Sequence, residues 1–275
     1  MKPYKLSLPL NQTNCVLFNS PHSGSIYTDK FMQLTDLPLR TLRSSEDLFV
    51  DQLFSPVVDL GSLLLSAKFP RSFIDLNRDC EELDPLLIED LIAYKDTLKV
   101  SAGLGVIPRV VADQKPIYNH RLSIDDANER LQGFYFPYHD KLKSLIKQTE
   151  ASFKKVILLD CHSMPLSSVN LASKKDPVEV VLGDCFGRSC EHEIVVELKT
   201  LLTEVGFKVG LNKPFSGGFI TKNYASPSNN INVVQIEILR SLYSHEKQQI
   251  KNSEFAKIQR RLIDVIEEFI KRFAY

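Results

Sequence analysis

Residues 156–165, which read VILLDCHSMP, place four consecutive aliphatic side chains directly before a polar turn that ends in proline. A short apolar run of this kind is typical of a strand that is covered on both faces. The pattern predicts a buried strand over 156–159, followed by a turn that carries His162. Because sites in open α/β sheets form at the carboxyl ends of strands, His162 is a candidate functional residue.

A second stretch of the same kind lies at residues 16–24, VLFNSPHSG, where a short apolar run precedes a turn that contains His22. Neutral imidazoles at the carboxyl ends of two core strands can bind a metal ion together with a carboxylate. Taken singly, each histidine is more simply explained as a buried, hydrogen-bonded side chain. The repeated placement favours the metal site.

The chain alternates short apolar runs with longer amphipathic patterns, which is typical of an α/β fold. We expect a central sheet that is mostly parallel or mixed, with helices on both faces, in a single domain over residues 1–275. Besides the two strands above, strands are predicted at 62–68, 105–111, 179–182, 207–211 and 232–239. Helices are predicted at 46–54, at 123–145 with a kink at Pro137, at 191–205 and at 253–273.

The 275 residues include 34 Lys and Arg and 34 Asp and Glu, so the formal net charge is zero. This balance argues against binding to nucleic acid or to an anionic membrane surface, which a basic excess usually accompanies. The five cysteines contain no C-x-x-C pair, which argues against a thiolate zinc site and indicates reduced thiols. With neither a signal-peptide pattern nor an apolar span, we expect a cytoplasmic protein, whose oligomeric state the sequence leaves open.

Two arginines stand in the segment FPRSFIDLNR at residues 69–78. The planar guanidinium groups of Arg71 and Arg78 suit carboxylates and oxyanions, so the segment is a candidate for substrate binding. The simpler alternative is a structural pair of arginines bound to Asp75 and the nearby glutamates 81 and 82.

A single acid interrupts the apolar run VVQIEI at residues 233–238. Glu237 stands inside this predicted strand, where a charge is costly unless it is paired or lies near a metal. Gln235 and Glu237 share one face of the strand because side chains alternate with a period of two. The alternative is that this face is simply exposed to solvent.

Eight sequence motifs, in consistent order, resemble the N-formylglutamate amidohydrolase (deformylase) family. They are NSPHSG at 19–24, EDLFVDQL at 46–53, FPRSFIDLNR at 69–78, GLGVIPR at 103–109, RLQGFYFPYHDKL at 130–142, LLDCHSMP at 158–165, NKPFSGGFIT at 212–221 and VVQIEILRSLY at 233–243. This family is similar to the zinc carboxypeptidases and aspartoacylases, which implies a phosphorylase/hydrolase-like α/β fold. The resemblance extends over nearly the whole chain.

The resemblance implies metal-dependent hydrolysis of N-formyl-L-glutamate to formate and L-glutamate, a step of histidine degradation. It implies one Zn²⁺ ion per chain, or another divalent metal, and a small N-acyl amino acid as substrate. Removal of another acyl group, such as acetyl or succinyl, or cleavage of a short peptide is the alternative among enzymes. A non-catalytic binding protein of the same fold is the alternative outside them.

The resemblance also implies a set of metal ligands. His22 and His162 match the two histidine ligands, and Asp47 matches the carboxylate ligand. Glu46 is the alternative acid, one position away. The acid must come from elsewhere in the chain than the usual position, because Ser25 stands where the carboxypeptidase pattern has its glutamate.

The remaining roles concern the reaction and the substrate. By resemblance, Glu237 matches the general base and Arg71 the arginine that stabilises the oxyanion. Asn77 and Arg78 match the pair that holds one carboxylate of the substrate. The second carboxylate is left to four candidate cations, of which the sequence does not select one: Arg109, Arg121, Lys222 and Arg240.

Overall fold

The computed structural model describes residues 2–111, 114–169 and 177–273. Their packing divides the chain into two compact units. The first unit comprises the described residues within 1–5, 21–46 and 66–142, and the second those within 6–20, 47–65 and 143–275. The single domain expected over residues 1–275 stays a prediction.

A seven-stranded sheet forms the centre of the fold. In chain order, the strands of the described residues are β1 (Tyr4–Ser7), β2 (Val16–Ser20), β3 (Leu63–Ala67), β4 (Val110–Val111), β5 (Lys115–Pro116), β6 (Val156–Met164), β7 (Val180–Gly183), β8 (Val209–Leu211), β9 (Ile231–Leu239), β10 (Ser244–His245) and β11 (Ile250–Lys251). The sheet has the order β1-β3-β2-β6-β9-β7-β8. β6 is parallel to both β2 and β9, whereas β7 is antiparallel to β9. The predicted α/β class with a mixed central sheet is confirmed.

The two longest strands, β6 and β9, are buried along almost their whole length. β6 continues to Met164, so His162 lies within the strand and not in a turn after Leu159, as was expected. The strand continues because the polar side chains of Asp160 and His162 bond to each other inside the protein. Glu237 in β9 is only 7% exposed, so the alternative of a solvated strand face is wrong.

Helices connect the strands. They are α1 (Asp29–Met32), α2 (Leu39–Leu42), α3 (Val50–Leu53), α4 (Leu98–Ser101), α5 (Ile124–Arg130), α6 (Phe136–Phe153), α7 (Leu166–Val169), α8 (His192–Glu204), α9 (Phe219–Tyr224) and α10 (Phe255–Phe273). The predicted helix at 46–54 is reduced to α3, because Phe49 adopts a left-handed backbone conformation with φ of 61°. The strand predicted at 105–111 is reduced to β4, whose partner is the short strand β5.

The long helix predicted from Ser123 is interrupted. Ser123 caps α5 by accepting a hydrogen bond from the backbone N–H of Asp126, as a serine at this position usually does. Five residues, 131–135, then form a π-helical turn before α6 begins at Phe136. Pro137 has no N–H to continue the α-helical ladder, which accounts for the break at this point.

In the second unit, α10 supplies a large part of the hydrophobic core. Its buried side chains recur at helical spacing and contact α8 and α3: Phe255, Ile258, Leu262, Val265, Ile266, Phe269 and Ile270. Each such side chain contributes about 1.5–3 kcal/mol relative to an exposed one. The C-terminal amphipathic helix predicted from the sequence is therefore a main stabilising element of this unit.

In the first unit, a buried arginine is surrounded by aromatic rings. The guanidinium carbon of Arg130 lies 4.4 Å from the ring centre of Phe73 and 5.1 Å from that of Tyr118. Its Nη1 donates to the Phe73 carbonyl at 3.1 Å and to the Tyr118 hydroxyl at 2.5 Å. These cation–π contacts fix the segment that leads from Phe73 toward Arg78. In the described part of the chain, none of the helices has the length and apolar character that a membrane span requires.

Candidate active site

His162 lies between two carboxylates in the interior of the second unit. Its Nδ1 is 2.9 Å from Oδ2 of Asp47, and its Nε2 is 3.0 Å from Oδ2 of Asp160. Asp160 is fixed in turn, because its Oδ1 accepts a hydrogen bond of 2.7 Å from Asn19 of β2. Burial alone would lower the pKa of His162, but Asp160 and Asp47 hold it well above its usual value. The pair of carboxylates therefore favours a positive charge at this position.

Asp47 is held on its second oxygen as well. The Ser163 hydroxyl donates to Oδ1 of Asp47 at 3.3 Å, and Nη2 of Arg240 lies 3.5 Å from the same oxygen. Arg240 also donates from Nε to the Ser163 hydroxyl at 3.2 Å. Arg240 is buried, and its guanidinium forms an ion pair with Asp47. The sequence analysis had named Arg240 as a candidate for binding a substrate carboxylate.

Glu46, the alternative acid, has other partners. Its Oε1 accepts a hydrogen bond of 2.7 Å from the Tyr27 hydroxyl and one of 3.1 Å from Nε of Arg43. Burial and the Glu46 carboxylate raise the pKa of Tyr27, so this hydroxyl remains a donor. The carboxylate of Glu46 thus stabilises the segment before Asp47.

In the first unit, His22 follows β2 by two residues and contacts a third carboxylate. Its Nε2 lies 2.7 Å from Oδ1 of Asp75, which also accepts a hydrogen bond of 2.8 Å from the backbone N–H of Asn77. Burial would raise the pKa of Asp75, but Arg71, together with His22 and Arg78, holds it well below its usual range. Asp75 is therefore an ionised acceptor that fixes one nitrogen of the His22 ring.

The two arginines of the 69–78 segment both contact Asp75. Nη2 of Arg71 lies 2.8 Å from Oδ2 of Asp75, and Nη2 of Arg78 lies 3.9 Å from it. Arg78 also donates to the backbone carbonyls of Leu104 and Asn77, each at 2.8 Å. Ion pairing with Asp75 thus agrees with the structural alternative, whereas the side chain of Arg71 is still 25% exposed.

Glu237 is paired with the other polar residue of its strand face. Nε2 of Gln235 donates to Oε1 of Glu237 at 2.8 Å, and Oε1 of Gln235 accepts from the backbone N–H of Gly218 at 2.8 Å. In the parallel register of β6 and β9, Glu237 is opposite His162. The register places the candidate base on the strand next to a candidate metal ligand.

The other cations named from the sequence have different surroundings. Nε of Arg109 donates to Oδ2 of Asp84 at 2.7 Å, and Arg121 donates to the carbonyls of Pro85 and Ile88. Lys222 is exposed in α9. None of the three is brought to Asp75 by a contact among the residues described.

Lys99 of α4 is a cation that the sequence analysis missed. Its carbonyl accepts a hydrogen bond of 2.8 Å from Leu104, the residue whose own carbonyl binds Arg78. The Lys99 side chain is exposed, but desolvation of its amine lowers the pKa of Lys99, and the guanidinium groups of Arg78 and Arg71 lower it further. No carboxylate among the described residues lies within ion-pair distance of its amine. No local sequence pattern marks Lys99, because its proximity to the arginines depends on the contact with Leu104.

The three predicted ligands His22, Asp47 and His162 form a buried group whose ligand atoms all lie within 4.8 Å of one another. Two imidazoles and one carboxylate are a typical donor set for catalytic zinc. Each imidazole also contacts a further carboxylate through Nε2, which is the usual support of a metal-binding histidine. These residues could therefore hold a metal ion. Asp75 and Asp160, which provide that support, were not assigned this role from the sequence.

Cys161, the neighbour of His162 in β6, points to the opposite side of the strand and belongs to the hydrophobic core. Burial, together with the charge of Asp160, raises the pKa of its thiol well above the usual value. Two neighbouring residues thus have separate surroundings, and Cys161 is no partner for His162 in nucleophilic chemistry, as the sequence indicated.

Comparison with known proteins gives consistent results. A family model for N-formylglutamate amidohydrolase matches residues 14–244. N-formylglutamate deformylase of Pseudomonas putida is 27% identical over 234 residues, which is 84% of this chain and 82% of the relative. The crystal structure of N-formylglutamate amidohydrolase from Ralstonia eutropha JMP134 covers 99% of both chains, with 32% identity and a TM-score of 0.93. A gene product of Agrobacterium tumefaciens shares the fold, with 18% identity, a TM-score of 0.72 and coverage of 98% and 94%.

Proposed function

Since this chain belongs to the N-formylglutamate amidohydrolase family, we propose that it is a metal-dependent hydrolase that converts N-formyl-L-glutamate to formate and L-glutamate. The observation that carries the proposal is the buried group of His22, Asp47 and His162. The names of the relatives from Pseudomonas putida and Ralstonia eutropha support the choice of substrate. We assign the reaction to histidine degradation, as the resemblance implies.

Zinc is the metal that this donor set suits best, with about one ion per chain. A zinc ion would supply Lewis-acid chemistry, because it withdraws electrons from a carbonyl oxygen and makes a water molecule more acidic. His22 would offer Nδ1, because its Nε2 contacts Asp75. His162 would likewise offer Nδ1, the nitrogen on the side of Asp47.

Glu237 would act as the general base and then as the general acid. Its carboxylate would take a proton from the attacking water and deliver it to the nitrogen of the departing glutamate. Its low exposure and the hydrogen bond from Gln235 support this role, because both limit the orientations of the carboxylate. A base that is already oriented loses little entropy in the reaction.

Cations of the first unit would bind the anionic parts of the substrate. We assign the developing negative charge on the formyl oxygen to Arg71, and one substrate carboxylate to Arg78 with Asn77. We assign the second carboxylate to Lys99, with Arg109 as the alternative. The support is that the first unit supplies three cations here: Arg71 and Arg78 contact Asp75, and both arginines act electrostatically on Lys99. A dicarboxylate offers these cations two negative groups.

A substrate panel with metal analysis tests this function. Purified protein is expected to contain about one zinc ion per chain. It is expected to release equal amounts of formate and glutamate from N-formyl-L-glutamate, and removal of the metal by a chelator should abolish the activity until zinc is added back. Zinc-loaded protein that releases no formate would refute the proposal. Faster turnover of N-acetyl- or N-succinyl-L-glutamate would reassign the acyl group.

A further inference from the structure

Gln235 is a buried amide in the middle of the sheet, and both ends of its side chain are hydrogen-bonded. Gln235 is 4% exposed and Glu237 is 7% exposed. Nε2 of Gln235 donates to Oε1 of Glu237 at 2.8 Å. An amide in such a position is costly unless its donor and acceptor both have partners. The two bonds therefore define one orientation of the Gln235 side chain.

The second bond connects Gln235 to the segment 216–218, which precedes α9. Oε1 of Gln235 accepts a hydrogen bond of 2.8 Å from the backbone N–H of Gly218, and the Thr221 hydroxyl lies at 3.5 Å. The side chain of Gln235 therefore connects the backbone of Gly218 to the carboxylate of Glu237. The orientation of Glu237 thus depends on where that backbone lies.

The segment 216–218 packs directly against the end of β7. The carbonyl of Ser216 accepts a hydrogen bond of 2.7 Å from the backbone N–H of Cys185. A Cβ atom added to Gly183 would lie 2.8 Å from the backbone nitrogen of Gly217, so the two backbones are in contact. Gly217 itself has a φ of 116°, which a residue with a side chain rarely adopts. The segment is therefore a close-packed support for Gln235.

We propose that Gln235 is a positioning residue, which holds the carboxylate of Glu237 in one orientation by connecting it to the Gly217–Gly218 backbone. This inference rests on the proposed function, in which Glu237 is the general base. Because the Gln235 amide holds Oε1 of Glu237, the direction of Oε2 is also defined. Oε2 of Glu237 can then accept a proton from one direction. A misplacement of a reacting group by about 1 Å can reduce the rate by about 10²-fold.

Two substitutions separate the two bonds of Gln235. Gln235→Met keeps the length of the side chain and removes both bonds. Gln235→Glu keeps an acceptor for Gly218, and it offers Glu237 no donor where the new carboxyl group is ionised, so kcat of this variant is measured over the pH range to separate this form from the protonated one. With N-formyl-L-glutamate as substrate, both variants are expected to lower kcat by about 10- to 100-fold, with KM within about threefold of the wild type.

Amide hydrogen exchange of the zinc-loaded protein without substrate provides a readout that does not depend on activity. The N–H of Gly218 is expected to exchange faster in Gln235→Met and at the wild-type rate in Gln235→Glu. Asn232→Leu is the control for simple destabilisation, because Asn232 is a buried amide of the same strand, about 16 Å from Glu237. Its kcat is expected to stay at the wild-type value.

The outcomes distinguish this inference from the proposed function. If both Gln235 variants keep the wild-type kcat while Glu237→Gln is inactive, the positioning role is overturned and the function stands. An equal loss of kcat in Asn232→Leu also overturns it, because the effect is then general. If the wild-type enzyme and Glu237→Gln hydrolyse the substrate equally, the role of Glu237 as base fails, and the inference fails with it. Should Gln235→Met fail to fold, Gln235→Glu alone decides between these outcomes.

Discussion

Removal of the carboxylate of Asp75 should weaken metal binding without removing any ligand. Oδ1 of Asp75 is 2.7 Å from Nε2 of His22, and Oδ2 is 2.8 Å from Nη2 of Arg71. In Asp75→Asn the amide oxygen can still accept from His22, but the amide nitrogen would face the donor groups of Arg71. In Asp75→Ala both contacts are lost. Asp75→Asn therefore weakens the support of His22, and Asp75→Ala removes it completely.

The size of the effect follows from these contacts. Loss of a carboxylate that supports a histidine ligand reduces metal affinity by about 10- to 100-fold, and each factor of ten corresponds to about 1.4 kcal/mol. We expect about tenfold for Asp75→Asn, which keeps an acceptor, and about 100-fold for Asp75→Ala. The free energy of unfolding of the metal-free protein should fall by about 1–3 kcal/mol in Asp75→Asn, since the partly exposed Arg71 can turn to water.

The assay is competition for zinc with a chromophoric chelator, together with urea unfolding of the metal-free protein. Asp84→Asn is the matched control: Asp84 is buried and pairs with Arg109 at 2.7 Å, and it contacts no histidine among the described residues. The control should lose stability but keep its zinc affinity. Wild-type zinc affinity in both Asp75 variants would refute the argument that Asp75 supports a ligand.

Three further predictions concern the pH response, the substrate and the base. The pKa of His162 is raised above its unfolded value of about 6.5, so its contribution to the stability of the metal-free protein is complete below that pH and is lost as the pH rises through the folded pKa. The urea midpoint of the metal-free protein should therefore fall as the pH rises above about 6.5 and through the raised pKa of His162. His162→Gln should reduce this slope, and an equally steep slope in the variant would contradict the assignment. Lys99→Met should raise KM for N-formyl-L-glutamate about tenfold at nearly constant kcat. For N-formyl-L-norvaline, which lacks the second carboxylate, steady-state kinetics should give the same KM and kcat for the variant and the wild type. Glu237→Gln should lower kcat by about 10²-fold or more while the chelator assay shows wild-type zinc affinity, and near-native turnover would show that the base lies elsewhere.

The elements of the sheet were predictable wherever burial follows from apolar residues alone. The runs at 156–159 and 233–238 predicted β6 and β9 correctly because both strands are covered on both faces. The end of β6 was predicted wrongly because Asp160 and His162 continue the strand as a buried hydrogen-bonded pair. Polar residues after an apolar run indicate a turn, because the sequence does not show that they form hydrogen bonds to each other in the interior.

The site was predictable to the extent that its residues occur in recognisable motifs. The three predicted ligands do form one buried group, although their roles stay predictions. The supporting contact of His22 could not be predicted, because Asp75 is 53 residues away along the chain. The support of His162 by Asp160 lies within one strand, and it was missed because the pattern indicated a turn at these residues. The cation at Lys99 was missed because no local sequence pattern marks it.

The alternation of β6 has a consequence for how the protein responds to oxidants. A single peptide bond joins His162, which faces carboxylates, to Cys161, which faces aliphatic side chains of the core. Peroxides and alkylating reagents react with the thiolate form of cysteine. Because the apolar core raises the pKa of Cys161, almost no thiolate is present at this position. Cys80 is the one of the five cysteines that is only partly buried, so reagents should reach its sulfur first, although partial burial and the charges of Asp79 and Glu81 raise the pKa of this thiol too. The strand thereby separates the sulfur of Cys161 from the polar surroundings of His162, its neighbour in sequence, because the two side chains lie on opposite faces.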